Sequence, residues 1–252
     1  IAAGDNGGTL SSSHSAFSAM TGNCNNLTIK GSSGHDSINL NLARGPGDCI
    51  NPVIGGLLTI KMGDGNDTLN SAKLANGDSV DIGAGDDTVS VMANGSPQTL
   101  SNINLTKLDG GAGTDTLKFE ESGSNTTALT LTTGGATNFE NLIGTAGAET
   151  LTGDANANVL SGLGGADTLY GLGGDDTLYA GKYAGIGMAN CGTGNSASKL
   201  YGGAGDDTLC GDSGENTLDG GTGTDTLSGG NGVDTFVIRS GMAVPRWPMP
   251  MW

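Results

Sequence analysis

Residues Gly162–Tyr179 read GLGGADTLYGLGGDDTLY, one nine-residue unit written twice. The unit returns at Gly202–Val237 as GGAGDDTLC, GDSGENTLD, GGTGTDTLS and GGNGVDTFV. Each copy opens on a glycine-rich run, sets a carboxylate or amide at position six and an apolar residue at position eight. Position six runs Asp167, Asp176, Asp207, Asn216, Asp225, Asp234; position eight runs Leu169, Leu178, Leu209, Leu218, Leu227, Phe236. A fixed short period means stacked repeats, each too small to bury a face alone.

The unit divides into a turn and a strand. Glycine accepts positive φ and close backbone approach, so the first six residues can turn tightly and aim several carbonyls at one centre. The position-six carboxylate adds to them. An all-oxygen, flexible shell of this kind suits calcium better than zinc or copper. The last three residues, such as Thr168-Leu169-Tyr170, form a short strand with Leu169 inward and its neighbours outward. Two units then make one coil of 18 residues, and turns two units apart stack.

This pattern resembles the repeat-in-toxin (RTX) family, with its GGxGxDxUx nonapeptide, over Gly144–Val237. The resemblance implies an all-β fold: a right-handed parallel β-roll, a β-solenoid of 18-residue coils with loop insertions. It also implies calcium ligands at Asp167, Asp176, Asp207, Asp225 and Asp234, an extracellular or cell-surface setting, and type I secretion. Glu149, Asn158, Ser198 and Asn216 depart from the family's aspartate at position six.

A degenerate form of the period runs through the N-terminal half. LTIK occurs at Leu27–Lys30 and at Leu58–Lys61, each nine residues before a unit bearing Asp36 or Asp67. The spacing places Asp36, Asp67, Asp87, Asp115, Glu149 and Asp167 on one regular edge, all as candidate metal ligands, with insertions near 40–52, 91–100 and 119–134 on the other. The other edge gains its own aspartates, Asp176, Asp207 and Asp225, only in the C-terminal half. The expected organisation is a flexible or capping segment at 1–21, degenerate coils at 22–143, a regular roll at 144–238 and a Pro/Trp/Met-rich tail at 239–252.

Composition read without the register is misleading. Leu, Ile, Val and Phe make up about 19% of the chain and the net charge is −16, a combination typical of disorder. That describes the calcium-free chain; roughly eight divalent ions would offset the whole charge. Each coil offers only a couple of inward apolar residues against the entropy of ordering a whole coil, so folding should be coupled to calcium. Acidity argues against nucleic acid and anionic membranes, and no apolar run is long enough to span a bilayer.

Cys24, Cys49, Cys191 and Cys210 allow three pairings. Separations near one coil favour 24–49 and 191–210 in an oxidising setting, with unpaired structural thiols the alternative. GDSG at Gly211–Gly214 falls in repeat register with no histidine placed to serve it, and Asp64-Gly65-Asn66 lacks the glutamate that would complete an EF-hand. With two histidines in the chain, a triad or zinc site is not easily built, so no enzymatic activity is expected.

Three roles fit such a roll. The first is a structural surface protein (fibre, surface-layer or adhesin subunit) that self-associates through its solenoid ends or its apolar tail. The second is the calcium-binding secretion and folding module of a larger enzyme or toxin. The third is a sugar- or ice-binding module, with a surface polysaccharide as partner, using the position-seven threonines or the outward tyrosines Tyr170, Tyr201 and Tyr179.

Overall fold

The structure, a computed structural model, describes residues 9–10, 26–31, 33–35, 37–39, 57–72, 79–92, 108–120, 128–130, 136–181 and 194–239. Every regular element among them is a strand, and every paired strand is parallel to its neighbours. Asp36, Cys24, Cys49, Cys191, the bulk of the 1–21 segment and all but the first residue of the tail lie outside the described residues.

The strands form two faces. One carries β3 (Ser37–Asn39), β5 (Thr68–Ala72), β7 (Thr88–Met92), β9 (Thr116–Glu120), β11 (Asn141–Ile143), β13 (Val159–Ser161), β15 (Thr177–Tyr179), β17 (Thr208–Cys210) and β19 (Thr226–Ser228) as a single sheet. The other is split in two. Its first sheet holds β1 (Thr9–Leu10), β2 (Asn26–Lys30), β4 (Leu57–Asp64), β6 (Ser79–Ala84) and β8 (Leu108–Asp109). Its second holds β10 (Ala128–Thr130), β12 (Thr150–Thr152), β14 (Thr168–Gly173), β16 (Lys199–Ala204), β18 (Thr217–Thr222) and β20 (Thr235–Phe236). The chain alternates between faces, as a solenoid requires. The registers Thr150↔Thr168 and Lys199↔Thr217 each step by 18 residues.

Position eight supplies the core. Leu69, Leu117, Leu142, Leu151, Leu160, Leu169, Leu178, Leu200, Leu209 and Leu218 are all fully buried, stacked one per unit. Alternation explains it: Leu169 is buried between the half-buried Thr168 and the exposed Tyr170. In the N-terminal coils a second inward residue joins at position one, Met62 and Ile82, where the C-terminal units have glycine. Outside, Tyr170 and Tyr201 stack with ring centroids 4.9 Å apart and planes 10° off parallel, while Tyr179, on the opposite face, is buried at 7% exposure and does not face outward as expected.

The insertions obey one rule. Passages from the second face to the nine-stranded sheet keep the nine-residue step, as in Thr59 to Thr68 and Lys199 to Thr208, except from β10 to β11, where the equivalent Ala128 and Asn141 stand 13 residues apart. The passages back carry the extra residues, including those between Tyr179 and Lys199. Apart from the passage between β10 and β11, the variable segments lie on one edge. Cys210 is buried and disulfide-bonded. Beyond β20, Arg239 donates from Nε (2.9 Å) and Nη2 (2.5 Å) to the buried Asp219 carboxylate on β18, holding the last described residue against the preceding coil.

Because each coil rests on few apolar side chains, one truncation removes a large share of its packing. Leu178→Ala should cost about 2–5 kcal/mol in saturating calcium. Denaturant unfolding measures it, and a cost near zero would mean that the leucine column does not carry the fold.

Candidate metal centre

The position-six aspartates are buried although each lies in a turn. Asp67, Asp87, Asp115, Asp167, Asp176 and Asp207 are at most 1% exposed. One oxygen of each carboxylate splices two coils, by accepting the backbone N–H of the position-six residue one coil earlier. Asp87 Oδ1 takes Asp67 N at 2.6 Å, Asp115 Oδ1 takes Asp87 N at 2.8 Å, and Asp207 Oδ1 takes Asp176 N at 2.9 Å. Asp167 Oδ1 takes Glu149 N at 2.9 Å, and Asp234 Oδ1 takes Asn216 N at 2.9 Å.

The second oxygen differs. Among the described residues, Oδ2 of Asp87, Asp115, Asp167, Asp176, Asp207 and Asp225 is buried with no hydrogen-bond donor. A native fold rarely leaves a buried carboxylate oxygen without a donor or cation, because the desolvation goes uncompensated. A recurring set of them points to a positive group in the turn.

From the Asp115 turn onward glycine at position one opens the space beside that oxygen, whereas Ile82 stands there in the Asp87 turn. A Cβ on Gly202 would stand 2.3 Å from Asp207 Oδ2 and 2.5 Å from the Gly220 carbonyl of the next coil. The same holds at Gly171, with Asp176 Oδ2 at 2.2 Å and Gly202 O at 2.6 Å, and at Gly162, with Asp167 Oδ2 at 2.2 Å and Ala180 O at 2.7 Å. Carboxylate and carbonyl oxygens converge where any side chain would intrude. Among the described residues no three His, Cys, Asp or Glu side chains cluster, so the donor set is one or two carboxylates plus main-chain oxygens. That set fits a hard cation such as calcium and gives zinc or copper nothing to hold.

Charge points the same way. Burial, opposed by the hydrogen bond from the Glu149 amide and aided by Glu149 and Asp212, pushes the Asp167 carboxyl up to about 8. Burial raises Asp115 and Asp176 to about 7, with neighbouring carboxylates adding to it, and also raises Asp87 and Asp207. Bringing these groups together as anions is unfavourable until something positive joins them.

The edges divide differently from the sequence expectation. Beyond Asp115 the first column continues through Glu140, whose Oε2 accepts Asp115 N at 2.7 Å, then Asn158, Asp176, Asp207 and Asp225. Glu149 and Asp167, expected above Asp115, belong instead to the opposite edge with Ser198, Asn216 and Asp234. The irregular coil ahead of β11 is the cause. Asp115 and Glu140 stand 25 residues apart, so counting by nines crosses to the wrong edge.

Sequence reasoning also missed position five. There a second ladder runs the other way: Asn66 Oδ1 accepts Asp86 N, Asp86 Oδ1 accepts Thr114 N, Asp175 Oδ1 accepts Asp206 N and Asp206 Oδ1 accepts Thr224 N, at 2.7–3.1 Å. Exposed His35 begins it, with Nδ1 3.0 Å from Asn66 N. The signal was available in the recurring Asn or Asp before the position-six aspartate.

Residues 143–181, 193–218 and 211–237 match the family model of the RTX calcium-binding nonapeptide repeat. These residues carry RTX calcium-binding nonapeptide repeats. Such repeats are structural, non-catalytic and calcium-binding, and they characterise extracellular, type I secreted proteins. No curated protein matches the chain. Among the described residues no helix is long and apolar enough to cross a membrane.

The raised carboxyls set a pH dependence. Unfolded, these groups have ordinary carboxylate values; in the calcium-free fold Asp115, Asp167 and Asp176 hold protons up to about 7–8. The calcium-free fold therefore binds more protons than the unfolded chain between these limits. Its stability should fall as pH rises from about 4 towards about 8. Calcium competes with those protons, so apparent calcium affinity should rise over the same interval. Calcium titrations followed by circular dichroism at about pH 5.5 and about pH 8 check this; equal midpoints would show that these carboxylates are not the groups calcium displaces protons from.

Proposed function

We propose that this RTX roll is an extracellular structural protein, folded by calcium at its position-six aspartates and associating through the ends of its solenoid. The ligands are Asp67, Asp87, Asp115, Asp167, Asp176, Asp207, Asp225 and Asp234, with Asp36 the corresponding residue outside the described segments. A load of roughly eight ions offsets the chain's acidity. The observation that carries the calcium reading is the set of buried carboxylate oxygens without donors.

Self-association is supported by the last coil. Among the described residues β19 and β20 end their sheets, each with a strand neighbour on one side only. Unpaired strand edges recruit further strands unless capped. Apolar side chains surround this edge: Val233, Phe236 and Ile238 are 78%, 44% and 60% exposed. Docking of a second roll here would extend both parallel sheets across the junction.

Asp207→Asn keeps the shape and the oxygen that accepts Asp176 N while removing a charge from the middle of the first column. It should raise the calcium midpoint for folding several-fold, read by circular dichroism; an unchanged midpoint removes Asp207 from the ligand set. For assembly, negative-stain electron microscopy in millimolar calcium should show fibres or stacked rods that chelator disperses. Isolated short rods in calcium would end the assembly reading and leave the calcium reading intact.

A further inference from the structure

Two kinds of turn occur along the roll, and they differ at positions two and six together. Among the described residues, where position six is aspartate, position two is glycine or leucine at positive φ, as at Gly203 (123°) before Asp207; Leu163 and Leu172 adopt this conformation at 72° and 86° despite their Cβ atoms. Where position six is Glu149, Asn158 or Asn216, position two is Thr145, Asp154 or Asp212, and none of these three has positive φ.

In the second kind the position-two side chain closes the turn itself. Asp212 is 1% exposed, and its Oδ1 accepts Gly214 N at 2.7 Å and Asn216 Nδ2 at 3.1 Å. Its Oδ2 reaches the preceding coil and accepts Ser196 N at 3.2 Å. Asn216 Nδ2 also donates to the Gly214 carbonyl at 3.0 Å, occupying an oxygen that a cation would need. At Glu149, Oε1 accepts Thr145 Oγ1 at 2.5 Å and Oε2 accepts Thr145 N at 3.1 Å, while Thr145 Oγ1 accepts Gly147 N. At Asn158, Oδ1 accepts Asp154 N at 2.7 Å, which fixes the amide so that its N–H group, and not an oxygen, occupies the second position. In all three the oxygens are directed at N–H or O–H donors or replaced by a donor.

We infer that the turns headed by Thr145, Asp154 and Asp212 close without calcium, and that Asp212 substitutes for an ion in two coils, its own and that of Ser198. The inference rests on the calcium reading of the aspartate turns and sets its limits. On the second edge the aspartate turns are then Asp167 and Asp234, separated by the coils of Ser198 and Asn216 that Asp212 closes. The second edge therefore carries no unbroken run of aspartates among the described residues. On the first edge Asp176, Asp207 and Asp225 follow one another without a break, so cooperative uptake along this half belongs to that edge.

Bound calcium per chain, measured by elemental analysis after equilibrium dialysis against saturating calcium, tests this alongside thermal unfolding. Asp212→Ala should leave the calcium count unchanged and lower the melting temperature by several degrees, because its carboxylate hydrogen bonds to Gly214, Asn216 and Ser196 are lost. Asp207→Ala should lose calcium. The paired change Asp212→Gly with Asn216→Asp, which writes the other kind of turn into the same unit, should add one ion per chain and keeps the test open if Asp212→Ala does not fold. Loss of calcium in Asp212→Ala, or no gain in the folded paired variant, overturns the inference. A wild-type chain that takes up no calcium overturns the calcium reading itself.

Discussion

The fold depends on a carboxylate placed where carboxylates are costly. At position six one aspartate oxygen is fixed by the amide of the previous coil and the other is buried without a donor. The first contact sets the stacking distance between turns. The second leaves the turn incomplete until a cation neutralises it. A roll of this design is held in register by its aspartates and held together by what they bind. The core alone is thin, one buried leucine per strand in the C-terminal coils, with Met62, Ile82 and Phe119 added in the N-terminal ones. On the proposed calcium reading, uptake of the ion and folding are one event.

Much of this was legible in the sequence because the unit contains its own strand and its own turn. Alternation around Leu169 and Leu178 gives the core directly, and the buried column follows it. The Tyr170–Tyr201 stack was also within reach, since both residues close their units on the same face. The edge assignment of Glu149 and Asp167 was not. A solenoid has two edges, so an insertion shorter than a coil shifts every later residue between them. Between Asp115 and Glu140 only the strand pairing resolves which edge follows.

The departures from aspartate at position six were visible in sequence, but their meaning needed coordinates. Asn216 alone reads as a lost ligand. Asn216 with Asp212 reads as a closed polar network, every oxygen of which has a donor. The pair is four residues apart and joined across the turn, a relation that position-by-position alignment of the units hides.

Strain at position two bears on the same choice. Leu163 and Leu172 hold a left-handed conformation that disfavours a side chain by about 1–2 kcal/mol each. Leucine there gains little from packing, since Leu172 is 52% exposed. The conformation is retained because the turn of Asp176 needs its carbonyls directed away from ordinary helical or extended geometry. Asp154 and Asp212, which supply their own hydrogen-bonded closure, adopt no such conformation. At position two, backbone strain thus tracks the aspartate turns and is absent from the self-closed ones, as expected if an ion compensates it in the first kind and nothing needs to in the second.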